Sequence, residues 1–185
     1  MQRSTERILA THVGSLARPR DLLELLRERE HGRPYDVDGF AKRVTGAVAE
    51  VVTEQVRCGL DVVTDGEMSK VSFLTYVKDR LAGFDPGAGE RLMPPSWQVE
   101  IDAFPGYYAD YLGKYSEQVS PMTTMVCTGL ISYTGQAQLQ TDIENLRAAL
   151  VGQDVTEAFL PSTSPSGFGR NEYYPSHTDY LVAVA

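Results

Sequence analysis

Four short polar stretches carry the residue types that could do chemistry, and each follows an apolar run: His12 to Ser15, Asp65 to Glu67, Thr128 to Gly129, and Ser162 to Glu172. Glu67 leads among them. A carboxylate just past a buried strand can hold a substrate ammonium or act as a base, or it can cap the following helix, where negative charge favours the N-terminal dipole. Asp65 turns the chain together with Gly66. Gly14 and Ser15 can offer backbone N–H groups and a hydroxyl to a carboxylate, or form a tight turn. His12 can serve as a base or ligand, or as a hydrogen-bonded core residue. Asn171 and Glu172 lie on a Pro-flanked loop and could meet a ligand or fix that loop.

Other chemistries lack support. Zinc wants several His, Cys or carboxylate ligands, often with a close-spaced pair, and His12, His31, His177, Cys58 and Cys127 contain none. No GxSxG accompanies a serine nucleophile. The first loop lacks GxGxxG and no GxxxxGK[ST] occurs, which weakens dinucleotide and P-loop readings. Cys58 reads as a small buried hydrophobe at a helix end, and Cys127 lies at a strand end.

The elements that must position these residues read as α/β. Ile8–Val13 suggests a strand, and Arg20–Glu28 a helix with one apolar face. Phe40, Val44, Ala47, Val48, Val51, Val52 and Val56 recur at helical spacing, with Asp36 or Asp38 to cap the start and Gly59 to end it. Leu60–Thr64 predicts a strand and Ser69–Leu81 a third helix. Residues 83–121 form a Pro- and aromatic-rich insertion. Thr124–Cys127 predicts a strand, Gln136–Leu150 a helix, and Val155–Leu160 a fourth strand. A final helix Asp179–Ala185 opens with a capping box from Ser176. Four strand–helix units in order predict parallel strands with crossover helices. Two folds compete, an open doubly wound sheet and a (β/α)₈ barrel, and in either the sites gather at the carboxyl ends of the strands.

The chain has 185 residues and a net charge of −8. Residues 1–93 hold 14 basic and 15 acidic side chains, residues 94–185 hold 3 and 10, and no basic stripe exists. Sequence-independent nucleic-acid binding therefore lacks its electrostatic footprint. No apolar run is long enough for a membrane span, and the two distant cysteines form no secreted disulfide framework. A soluble, cytoplasmic protein is expected.

The motifs Thr11-His-Val-Gly-Ser-Leu-Ala-Arg-Pro19, Gly59-Leu-Asp-Val-Val-Thr-Asp-Gly-Glu67 and Ser72-Phe-Leu-Thr-Tyr-Val-Lys-Asp-Arg-Leu-Ala-Gly-Phe84 resemble the cobalamin-independent methionine synthase family. Cys127-Thr-Gly129 and Asn171-Glu-Tyr-Tyr-Pro175 resemble its shorter, single-barrel branch. The resemblance implies a (β/α)₈ TIM barrel of the uroporphyrinogen decarboxylase and methionine synthase type. It also implies methyl transfer from a methyl-folate to the thiol of homocysteine, with zinc activating that thiol. It places Val13, Gly14 and Ser15 against the amino acid and Glu67 on its ammonium. The family's zinc ligands and a later acidic residue that grips homocysteine match no position in this sequence, so zinc is expected only with the full-length family. A full barrel takes about 250 residues. The expectation for residues 1–185 is thus the amino-terminal part of one barrel, an incomplete half-barrel inactive alone and open to self-association along its sheet edge. Alternatives are a transferase acting on another thiol of the coenzyme M type and a non-enzymatic binding module.

Overall fold

The computed structural model describes residues 3–72, 75–87, 95–116, 125–165 and 169–185. The amphipathic segments fold as their spacing dictates. Helix α1 (Arg20–Glu30) buries Leu22 and Leu26, and α2 (Val37–Arg57) buries Val44, Ala47, Val48 and Val52. The Asp36 carboxylate accepts the Gly39 N–H at 2.9 Å and caps α2. At the far end Gly59 turns left-handed (φ 81°). Its N–H donates to the Val56 carbonyl and the Leu60 N–H to the Gln55 carbonyl, so the paired bonds of a Schellman motif stop the helix. Helix α5 (Gln136–Ala149) adds Leu146 and Ala149 to the same core.

This helical layer covers a small parallel sheet. Strand β1 (Val62–Thr64) pairs with β4 (Glu157–Phe159), Val62 opposite Glu157 and Thr64 opposite Phe159. On the other edge of β1 the expected first strand is reduced to one parallel bridge, Thr11 to Val62. Ile8 and Val13 are 88% and 72% exposed, so an apolar run that predicted a buried strand has no layer over its ends.

A second sheet departs from the sequence expectation of four parallel units. Strand β2 (Leu81–Pro86) runs antiparallel to β3 (Met125–Tyr133), and β5 (Arg170–Asn171) lies parallel to β3. The predicted helix over 69–81 is instead a 3₁₀ turn, Thr75–Asp79, and Leu81 opens β2. The predicted strand ending at Cys127 continues to Tyr133, which buries Cys127 in mid-strand, and Cys58 is exposed. Asn171 belongs to β5 rather than to a loop. Tyr180 of α6 (His177–Val184) is buried under this sheet, edge-on to Phe84. The Ser176 hydroxyl accepts the Asp179 N–H at 3.1 Å, the cap that the sequence predicts.

The insertion carries two helices, α3 (Pro95–Ala103) and α4 (Pro105–Ser116), packed on each other. Tyr107 and Tyr111 stack at 5.9 Å. Residues 88–94 and 117–121 of the insertion lie outside the described residues, as do 73–74 of the predicted third helix, Thr124 of the predicted strand and 166–168 of the Ser162–Glu172 stretch. The architecture is α/β with two small sheets, and the described residues form no closed barrel.

Candidate functional site

Two loops leave the same end of the parallel sheet, residues 12–18 after the Thr11 bridge and residues 65–67 after β1, and they are bonded to each other. The Ser15 hydroxyl donates to Glu67 Oε2 at 2.5 Å. The Leu16 N–H donates to the Gly66 carbonyl at 3.1 Å, and Arg18 Nη2 donates to the Glu67 carbonyl at 3.0 Å. Of the residues singled out in the sequence, Gly14, Ser15, Asp65 and Glu67 thus lie on two directly connected loops, with His12 and Val13 on the same segment.

The 65–67 loop is tightly specified. Gln55 projects from α2, donating to the Thr64 carbonyl at 2.8 Å and accepting the Thr64 N–H at 3.0 Å, so a helix side chain stands where a neighbouring strand would pair. The Gly66 N–H donates to Thr64 Oγ1, and the Glu67 N–H to Asp65 Oδ1 at 3.0 Å. Gly66 and Glu67 are both left-handed, at φ 61° and 58°. Glycine does this freely, and any Cβ at Gly66 would press on Met68 and Val51 at 3.0 to 3.2 Å. Glutamate pays strain of about 1 kcal/mol or more. The strained backbone and the Ser15 bond fix a carboxylate on a residue only 3% exposed.

Asp65 supports this loop from beneath. Burial pushes its carboxyl pKa up, against the lowering influence of Lys70 and of the Glu67 N–H. Lys70, equally buried, stands 3.9 Å from Asp65 and donates to the Pro161 carbonyl at 3.2 Å, tying the loop after β1 to the loop after β4. Asp65 is therefore a structural partner of Glu67.

The remaining candidates behave differently. The Nε2 atom of His12 is buried without a hydrogen-bond partner. Asn171 spends its side chain on its own turn, accepting the Tyr174 N–H at 2.9 Å and donating to the Tyr174 carbonyl at 2.8 Å. Glu172 pairs with Arg170 at 2.5 Å on the surface. Asn171 lies in β5 and Glu172 just after it, its N–H donating to the Cys127 carbonyl at 3.0 Å, and both side chains have local partners. Sequence reasoning missed Gln55, Arg18 and Lys70. Gln55 was visible as a polar residue on the apolar stripe of α2. The other two became meaningful only once the loops met.

Among the described residues no three His, Cys, Asp or Glu side chains gather around one point. The Cys127 thiol, held in β3, has its pKa pushed up by burial, away from the thiolate a metal needs. These residues do not fit a zinc centre.

No family model matches the chain. A methionine synthase of Sulfurisphaera tokodaii is 36% identical over 177 residues, covering 95% of this chain and 44% of that protein. One of Thermococcus kodakarensis is 38% identical over 72 residues, 39% of this chain and 21% of that protein. A B12-independent methionine synthase from a Shewanella species, solved in complex with selenomethionine, superposes with a TM-score of 0.59 at 17% identity, covering 93% of this chain and 43% of that one. The chain is thus similar in sequence to curated methionine synthases over most of its length and shares its fold with B12-independent methionine synthases. It spans less than half the length of the curated relatives it matches. A 5-methyltetrahydropteroyltriglutamate–homocysteine methyltransferase of Streptomyces avermitilis, 30% identical over 74 residues (40% of this chain and 10% of that protein), extends the relationship to a longer methyltransferase. No helix among the described residues is long and apolar enough to cross a membrane.

Proposed function

We propose that this chain forms the amino-acid-binding part of a cobalamin-independent methyltransferase of TIM-barrel type, with homocysteine as the methyl acceptor. The observation that carries this reading is the buried Glu67 carboxylate covered by the hydroxyl of exposed Ser15. A buried carboxylate is costly without a donor, and an α-ammonium is a stronger donor than a hydroxyl. The incoming ammonium takes over Glu67 Oε2. Ser15 Oγ and the backbone around Gly14 are then free to meet the substrate carboxylate, and the side-chain thiol is directed away from the loop pair. The reaction proposed for the whole protein moves a methyl group from 5-methyltetrahydrofolate to that thiol. The carbon–nitrogen bond breaks, a carbon–sulfur bond forms, and the folate nitrogen takes up a proton. In the family resemblance zinc supplies the thiolate. The residues described here bind and orient the amino acid and contribute no ligand set, so this chain by itself is expected to bind without turnover, in the cytoplasm.

Calorimetry of the chain with L-homocysteine and, separately, with 2-mercaptoethanesulfonate tests the assignment. Saturable binding of the amino acid, weakened about tenfold or more in Glu67→Gln, and none of the sulfonate thiol are expected. Equal binding of both thiols, or homocysteine binding indifferent to Glu67→Gln, would overturn it in favour of a carrier of another thiol.

A further inference from the structure

A cavity of about 340 Å³ lies between the 3₁₀ turn, α5 and the loop after β4, and its lining shares no residue with the Ser15–Glu67 pair. Two cations form part of its wall. Lys70, with its side chain 4% exposed, spends one N–H on the Pro161 carbonyl, and Asp65 at 3.9 Å is beyond hydrogen-bond reach. Arg80, with its side chain 12% exposed, donates from Nη2 to Asp142 Oδ2 at 2.5 Å. Both cations lie about 5 Å from the centre of the Tyr76 ring, Lys70 Nζ at 5.1 Å and Arg80 Cζ at 5.0 Å.

Arg80 is held there by construction. A Cβ on Gly135 would stand 2.6 Å from the Cβ and Cγ atoms of Arg80, so the glycine at the start of α5 leaves the space its stem fills. Asp142 is fixed in turn by the Ser69 hydroxyl at 2.7 Å. The lining also includes the aliphatic Leu81, Leu139 and Leu160 and the hydroxyl-bearing Ser162, Thr163 and Ser164. Concave apolar space with a few convergent polar groups is how small-molecule sites are built. Ion pairs of single-point contacts leave ammonium and guanidinium N–H groups for one more acceptor. A bare phosphate would leave the apolar wall unfilled, and a neutral ligand would leave those donors unmet.

We propose that this cavity binds a small organic carboxylate, its head between Lys70 and Arg80 and its apolar body against Leu81, Leu139 and Leu160. Calorimetry of the chain with hexanoate, hexan-1-ol and inorganic phosphate tests it. Hexanoate is expected to bind saturably at one site, hexanol at least about tenfold more weakly, the difference of a charge-assisted pair, and phosphate not at all. Leu139→Trp, which enlarges a partly exposed lining residue, should abolish the hexanoate signal while the circular dichroism spectrum is kept. Arg80→Gln should weaken hexanoate about tenfold and leave hexanol unchanged. No saturable heat from hexanoate, hexanol binding equal to hexanoate, or hexanoate binding that survives Leu139→Trp would each overturn the assignment.

Discussion

Ser15 Oγ lies 2.5 Å from Glu67 Oε2, a hydroxyl from an exposed loop closing over a carboxylate held 49 to 52 residues downstream of the segment it binds. The pair joins the two loops that leave the parallel sheet at one end. On the proposed function, an ammonium would reach the carboxylate by displacing this hydroxyl.

Ser15→Ala removes the donor and leaves a buried charge. The cost of a lost hydrogen bond to a charged group is about 2 kcal/mol, and urea unfolding at pH 7 is expected to show a loss of that order. Saturating L-methionine should raise the midpoint of Ser15→Ala more than that of the parent, because the ammonium then supplies the missing donor. Equal ligand-induced shifts in both proteins would count against an ammonium at Glu67.

Gln55 makes a second prediction of a purely structural kind. In Gln55→Leu the apolar stripe of α2 becomes continuous, yet the Thr64 N–H and carbonyl lose both partners in the core. Two buried backbone groups left unpaired cost about 2–4 kcal/mol. Faster amide exchange at Thr64 and a lowered unfolding midpoint are expected. An unchanged midpoint would mean that the strand end finds other partners.

The helices were legible in the sequence because what makes them is local. Spacing marked α1, α2 and α5, and caps at Asp36, Gly59 and Ser176 marked ends that the structure confirms. The second sheet was not legible. Leu81–Pro86 contains a glycine and a proline and pairs with a strand some forty residues later, so its register is set by a partner that no local pattern reveals. Ile8–Val13 has the apolar content of a strand but secures only the Thr11 bridge. At the candidate site, position past a strand pointed to Glu67 and Ser15. Their contact and the strained φ of Glu67 arise only when the loops meet.

Gly83 and Gly129 provide a matched test of the β2–β3 pairing. Gly83 sits at the register shift between Ala82 and Phe84 with φ 90°, and a Cβ there would lie 2.6 Å from the Leu130 carbonyl oxygen. Gly129, on the facing strand, has no atom closer than 3.7 Å to an added Cβ and no positive φ. Gly83→Ala combines left-handed strain with a backbone clash and should cost about 2 kcal/mol or more. Gly129→Ala should be close to neutral. Similar unfolding midpoints for the two variants would refute the register assigned to β2.

Asp61 fixes the pH dependence of the amino-terminal segment. Its carboxylate takes the Arg7 guanidinium and accepts the Ala10 N–H at 2.7 Å, and these bonds, Arg7 first, lower its pKa from 3.8 to about 2. A depressed carboxyl pKa contributes stability that is present above the unfolded value and lost as pH falls through the folded one. The hold on residues 7–11 should therefore be full above pH 3.8 and disappear as pH falls through about 2. The Ala10 amide resonance, followed by NMR, should titrate near 2 rather than 3.8. Because Arg7 is exposed, salt near 1 M should screen the pair and move the midpoint upward. Asp61→Asn should abolish the acid step and speed Ala10 exchange at neutral pH. A midpoint of 3.8 that ignores salt would show that Arg7 does not engage Asp61 in solution, leaving the Thr11 bridge to anchor the segment.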